Sequence, residues 1–253
     1  MYISRIVSGP VSTNCYIAAS ELTKEAMVVD PDLRDELKVE EVLREIRENG
    51  LNPICIVNTH GHNDHIGGNR RIKAETGADI LVHEADESVL PVPWKRLLEA
   101  HPSPWCFVCG RENPKLEIEN DARSAVVRCA SCGFSFQFIA SPPPDRLLRD
   151  GDAVEIGEIA FRVIHTPGHS PGQICLYSER EKVVFTGDAL FQGSIGRTDL
   201  PGSSEKEMEI SLAKLARLRD DVAVYPGHGE PTTIGTEKRF NPYLGSGPST
   251  GSG

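Results

Sequence analysis

Three histidines and an aspartate, His60, His62, Asp64 and His65, fall within six consecutive positions of a 253-residue chain that has only eight histidines. Imidazole and carboxylate are the side chains that bind divalent cations such as zinc and iron. Residues two apart do not share a helix face, so His60 and His62 converge only from a loop or an extended segment. Gly61 lies between them for a tight turn, and Asp64 and His65 open the following helix. Three distant stretches repeat the construction, an apolar run followed by a glycine-containing turn that bears a ligand-type side chain. They are "VIHTPGHS" with His169, "VVFTGDAL" with Asp188 and "VYPGHG" with His228. The resulting seven candidates exceed the roughly four ligands of one zinc ion. They suit two ions, each with three private ligands, sharing one carboxylate and a bridging water.

Two further pairs, Cys106/Cys109 and Cys129/Cys132, stand in "CFVCG" and "CASCG". The glycine after each pair permits the turn that aims two thiolates at one ion, and four thiolates make a tetrahedral zinc-ribbon-like or rubredoxin-like site. Zinc is favoured there and iron is the alternative. The expected role is structural, the ion stapling a segment too small to bury a core of its own. Cys15, Cys55 and Cys175 stand alone in apolar, strand-like contexts and read as core residues.

The elements that must position these groups read as α/β. Strands are expected at 25–30, 54–58 and 78–86, with helices over about 35–49 and 65–77 between them. From about 150 a strand–turn–strand, two more strands, a helix over 203–219 and a last strand before His228 follow. Ser204 and Glu207 make a capping box for that helix. Proline-rich punctuation at 91–93 and 141–144 brackets the cysteine pairs, so 91–148 reads as a small four-cysteine metal-binding insert into a catalytic domain formed by 1–90 and 149–244. Residues 245–253 are a flexible Gly/Ser tail.

The stretch "THGHNDH" fits the T-H-x-H-x-D-H signature of the metallo-β-lactamase-fold hydrolases. "HTPGHSPG", "FTGDALF" and "PGHG" follow in that family's order, so the chain resembles the family over nearly its whole length outside the insert. "GSIGRTDLPG" and "TTIGTEKRFNPYL" resemble its short, glyoxalase II-like branch. The resemblance implies an αββα sandwich. It implies that His60, His62 and His169 hold one metal, that Asp64, His65 and His228 hold a second, and that Asp188 bridges. Zinc is expected, with iron or manganese as alternatives. Asp30 is expected to be structural. The implied reaction is hydrolysis in which a metal-activated hydroxide attacks an acyl carbonyl, with Asp64 orienting the nucleophile. The implied substrate is a thioester of the S-lactoylglutathione kind. Only a short stretch follows His228, in place of the branch's helical glutathione-binding domain, so acyl-CoA or another small thioester or ester is expected alongside. Arg197 is a candidate for a substrate carboxylate. The alternatives are a mononuclear-iron persulfide dioxygenase of the same fold, a lactonase and a phosphodiesterase.

Other readings are excluded or left bland. "GHSPG" matches a nucleophile elbow, but the residue after its serine is Pro171, which has no N–H for an oxyanion hole. A net charge of −10 is a poor footprint for nucleic acid. No apolar run reaches membrane-span length and no secretory signal is evident, so a cytoplasmic location is expected. His165 is assigned a supporting or core role, and His83, His101, Lys238 and Arg239 no role in the site.

Overall fold

The computed structural model describes residues 1–32, 36–92, 116–120, 124–133 and 135–244. Cys106, Cys109 and the 245–253 tail lie outside them. An N-terminal hairpin, β1 (Tyr2–Ser8) and β2 (Thr13–Ala19), is followed by β3 (Glu25–Val29), α1 (Glu36–Glu48), β4 (Asn52–Val57), α2 (Asn63–Ile66), α3 (Asn69–Thr76) and β5 (Asp79–His83). A 3₁₀ turn, Glu84–Val89, leads into the bracketed stretch. There β6 (Leu116–Asn120), β7 (Ser124–Cys129) and β8 (Ser135–Ile139) form a separate antiparallel sheet. The second half holds β9 (Arg146–Leu148), β10 (Ala153–Ile156), β11 (Ile159–His165), β12 (Ile174–Ser178), β13 (Val183–Gly187), α4 (Glu205–Leu215), β14 (Ala223–Pro226), β15 (Thr232–Thr233) and α5 (Ile234–Phe240).

Two mixed sheets, in the orders β1-β2-β3-β4-β5-β9 and β10-β11-β12-β13-β14-β15, face each other. Side chains alternate across a strand, and both faces of the inner strands β2, β12 and β13 are covered, whereas β10 and β11 alternate between buried and exposed residues. Along β2, Tyr16 and Ala18 enter the core between the sheets, while Ile17 and Ala19 enter the core beneath the helices. Val39, Val42, Leu43 and Ile46 of α1 and Ile72 of α3 close that outer face. Met208, Leu212 and Leu215 of α4 cover Ile164, Cys175, Val184 and Val224 on the far side of the second sheet. The layers run α, β, β, α, as expected. Cys15, Cys55 and Cys175 are all buried in these layers.

Three details differ from the sequence reading. The N-terminal hairpin was not foreseen, because a strand buried on both faces lacks the alternating pattern that marks a half-exposed one. The helix expected over 65–77 is two helices, interrupted at the consecutive glycines Gly67 and Gly68, where the Gly68 N–H donates to the Pro31 carbonyl at 2.6 Å. Residues Arg146–Leu148, placed within the 91–148 stretch, instead form the edge strand β9, parallel to β5. The chain leaves and re-enters the main body at neighbouring points, since the Ser141 N–H donates to the Leu90 carbonyl at 3.0 Å.

Candidate metal centre

Each candidate ligand stands just beyond the C-terminal end of a strand: the 60–65 turn after β4, His169 after β11, Asp188 after β13 and His228 after β14. Backbone bonds tie these turns together. The Ile174 N–H donates to the Thr59 carbonyl at 2.8 Å, Gly227 N–H to Gly187 at 2.8 Å, and Asn14 N–H to Gly227 at 2.7 Å. Strand ends packed in two sheets make a rigid mount, whereas free loops would have to be ordered by the metal itself.

The seven side chains converge as two triads. His60 Nε2 lies 3.0 Å from His62 Nδ1, which lies 2.8 Å from His169 Nε2. Asp64 Oδ2 lies 3.4 Å from His65 Nε2 and 3.3 Å from His228 Nε2. Asp188 stands between the triads: its Oδ2 is 3.3 Å from His169 Nε2 and 3.5 Å from His228 Nε2, and its Oδ1 is 3.4 Å from His65 Nε2. The ligand atoms of each triad lie within 4.8 Å of one another, the spacing of groups that share an ion.

The chemistry of the donors fits a cation. Among the described residues, His65 Nδ1 and Nε2 and Asp188 Oδ1 are buried polar atoms with no hydrogen-bond partner, an arrangement that costs about 1–3 kcal/mol each unless something else satisfies them. Three of the histidines have Nδ1 against an acceptor: Thr59 Oγ1 for His60 at 3.2 Å, the Arg197 carbonyl for His169 at 2.9 Å and the Val11 carbonyl for His228 at 3.1 Å; His65 Nδ1 lies 3.0 Å from the Asp30 carboxylate. A proton held at Nδ1 leaves the Nε2 lone pair aimed inward, the tautomer a metal ligand needs. Burial and the neighbouring imidazoles hold His60 well below its usual range. Burial and His169 push His62 down to about 3. Burial raises the Asp188 carboxyl, and His65, His169 and His228 overcome it, holding Asp188 at about 2. Burial likewise lowers His228, and Asp188 and Asp64 overcome it, lifting it to about 10. His60 and His62 are thus kept neutral, while positive charge gathers on His228 beside the two carboxylates.

Asp30 is structural, as expected. Its carboxylate accepts the Thr59 N–H at 2.7 Å and Oγ–H at 2.6 Å while bracing His65. His165 supports the next turn through the Pro171 carbonyl at 2.8 Å and stacks on His83. Arg197 forms a two-pronged pair with Asp199 at 2.8 Å on each prong, and its backbone carbonyl, not its guanidinium, is what meets the cluster. Ser170 Oγ donates to buried Asp86 at 2.9 Å, so it is no exposed nucleophile.

The sequence reading missed Asp86. This fully buried carboxylate accepts the Gly61 N–H at 2.8 Å, the Gly172 N–H at 2.9 Å and the Ser170 hydroxyl, tying the His60/His62 turn to the His169 turn. It missed the N-terminal hairpin's role as well: Asn14 Nδ2 donates to the Pro226 and Gly229 carbonyls at 2.9 and 2.8 Å, on either side of His228. Neither residue carries a spacing signal. Gly227 marks how closely the turns approach, because a Cβ there would stand 2.3 Å from Asp188 Oδ1.

In the bracketed sheet, Cys129 ends β7, and Gly133 (φ 72°) turns back so that its N–H donates to the Cys129 carbonyl at 2.8 Å.

Comparison with known proteins identifies the family and the fold. The family described as "Metallo-beta-lactamase superfamily" matches residues 8–228. The hydroxyacylglutathione hydrolase GloC of Haemophilus influenzae is 34% identical over 225 residues, covering 88% of this chain and 89% of its own. The crystal structure of BLEG-1 B3 metallo-beta-lactamase superposes with a TM-score of 0.74 at 31% identity, covering 97% of this chain and 100% of its own. That of TTHA1623 in a di-iron-bound form gives 0.69 at 31% identity, covering 95% and 100%.

Proposed function

The chain belongs to the metallo-beta-lactamase superfamily, and from that premise we propose that it is a dinuclear metal-dependent hydrolase that cleaves a thioester. The carrying observation is the place of Asp188, one oxygen of which faces a histidine of each triad. His60, His62 and His169 would hold one divalent cation, Asp64, His65 and His228 the other, and Asp188 both. Bound there, the cations supply Lewis acidity, lowering the pKa of water and polarising an acyl carbonyl oxygen.

The protein's own contribution is positioning. The Nδ1 acceptors hold the rings of His60, His169 and His228 in one tautomer. Asp64 is kept ionised: burial opposes this, and His65 and His228 prevail. Its Oδ2 also accepts from Thr13 Oγ at 3.4 Å, so the carboxylate is steered from the hairpin while ligating, and it is our choice for orienting the attacking water. Arg197, held by Asp199 at the partly exposed rim, is the proposed contact for a carboxylate on the substrate. The thioester assignment is supported by the 34% identity to a protein named hydroxyacylglutathione hydrolase. The two-ion assignment is supported by the seven-donor cluster and by a relative crystallised in a di-iron-bound form. Zinc is the proposed native metal, with iron or manganese the alternatives. We further propose a structural zinc (or iron) on Cys106, Cys109, Cys129 and Cys132. Among the described residues no helix is long and apolar enough to cross a membrane.

The test is elemental analysis of the purified protein with a substrate panel. Two ions in the centre and a third in the cysteine site are expected, about three per chain on the ligand counts above. Thiol release from S-lactoylglutathione or an acyl-CoA is expected to exceed turnover of lactones and phosphodiesters. A single iron with oxygen uptake on glutathione persulfide would overturn the hydrolase assignment.

A further inference from the structure

Between His62 and Asp64 stands Asn63, which the metal cluster does not use. It is buried, and both ends of its amide are engaged with one strand: Nδ2 donates to the Gln137 carbonyl at 2.9 Å, and Oδ1 accepts the Ile139 N–H at 2.8 Å. The carbonyl of a strand residue and the N–H two residues on point to the same side. β8 pairs with β7 along its other side and is the edge of its sheet. The Asn63 amide therefore sits where a peptide group of a further strand would lie, closing an edge that would otherwise stand open.

A second route runs beside it. Asn69 Nδ2 donates to Ser141 Oγ at 2.9 Å and to Asn58 Oδ1 at 2.7 Å, and Asn58 Nδ2 donates to the His65 carbonyl at 2.9 Å. All three residues are buried. Buried amides satisfied on every side fix one arrangement, because any shift leaves a donor or acceptor unpaired. The exit of the β6–β8 sheet is thus hydrogen-bonded at two points to the segment that carries His62, Asp64 and His65.

We propose that the β6–β8 sheet is part of the catalytic centre, and that Asn63 is the positioning residue through which β8 sets the spacing of the two triads. The geometry is specific on this point: His62 belongs to one triad and Asp64 to the other, so a rotation of the backbone at residue 63 moves the two ligands relative to each other. This deepens the two-cation reading and rests on it.

The test uses the full-length protein, stripped of metal and titrated with cobalt(II), whose visible bands report imidazole and carboxylate ligation. Asn63→Ala removes both bonds to β8. Ile139→Pro removes one of them, the bond from the Ile139 N–H, without touching the ligand segment, and proline is tolerated on an edge strand with its N–H side outward. Each single variant is expected to bind cobalt at the centre about tenfold more weakly, the usual effect of losing a group that orients a ligand, with the same change in the visible spectrum. The double variant is expected to be no weaker than Asn63→Ala alone, because that variant already removes the bond lost in Ile139→Pro. Asn63→Asp keeps the acceptor for the Ile139 N–H and is expected to recover part of the affinity. Hydrogen exchange of the β8 amides checks that the variants loosen β8 and leave the main sheets protected. Loosened β8 with wild-type cobalt affinity and spectrum overturns the proposal, as does an additive double variant. A wild-type protein that takes up no cobalt pair fails differently, bringing down the two-cation reading first.

Discussion

Asp86 illustrates how much of this site lies in residues that touch no substrate. Its carboxylate has three donors from two different turns, Gly61, Ser170 and Gly172; a Cβ at Gly172 would stand 2.4 Å from Asp86 Cγ, and one at Gly61 would stand 2.4 Å from Val89 Cγ2. Asp86→Ala is expected to leave these donors buried without partners, at about 1–3 kcal/mol each, read as a drop in the urea midpoint. Asp86→Asn keeps the shape but turns an amide N–H₂ toward a backbone N–H. It is expected to weaken metal binding at His60, His62 and His169 by about 10–100-fold while sparing the Asp64, His65 and His228 triad. Equal loss at both triads in a metal titration counts against the assignment. The candidate ligands were readable because histidine is rare in this chain and clustered. Asp86 was not, since an aspartate after a strand has the same local signature whether it faces water or three buried donors.

At the level of elements, α4 shows where a sequence motif is half right. Ser204 caps the helix as its spacing with Glu207 predicts, accepting the Glu207 N–H at 3.3 Å. The reciprocal half of the box is replaced: the Ser204 N–H donates to the Gly168 carbonyl at 2.8 Å, and Ser203 Oγ donates to the His169 carbonyl at 2.9 Å. The start of the helix is fastened to the ligand turn instead of to its own first turn. Ser204→Ala is expected to cost about 1 kcal/mol, the usual worth of a cap, and to lower Tm by about 2–4 °C in a chain of this size. Calorimetry is the check; no change at all would mean that the backbone bond to Gly168 alone holds the helix end. Helices α1 and α4 were legible from their apolar stripes. The hairpin β1–β2 was not, because its inner strand is apolar on both faces and its function, gripping the His228 turn through Asn14 and the Val11 carbonyl, depends on contacts over 200 residues apart in sequence.

For the whole molecule, the two half-sandwiches meet at the metal centre, so occupancy is coupled to global stability. His60, His62, Asp64 and His65 come from the first sheet, and His169, Asp188 and His228 from the second. Ions bound across that junction favour the folded state by mass action, about 2.7 kcal/mol for each site at a hundred times its Kd. That corresponds to roughly 5–10 °C in Tm. Apo protein prepared with a chelator is therefore expected to melt at least that far below the reloaded form. Identical melting curves would show that the turns are held without metal, by Asp30, Asp86 and the backbone ties alone.

Residue types and their spacing determined by themselves that this chain has a dense imidazole and carboxylate cluster, an α/β body and a second, thiolate-bearing stretch. Those properties are local: side-chain chemistry, periodicity and glycine punctuation are written within a few residues of one another. The tertiary structure alone decided which atoms face the centre, that Asp188 stands between the triads, and that Asn63 is gripped by a strand more than seventy residues away. Those depend on the register of two sheets and on buried hydrogen bonds between distant turns, and an amide or carboxylate reads the same in a sequence whichever partner the fold brings to it.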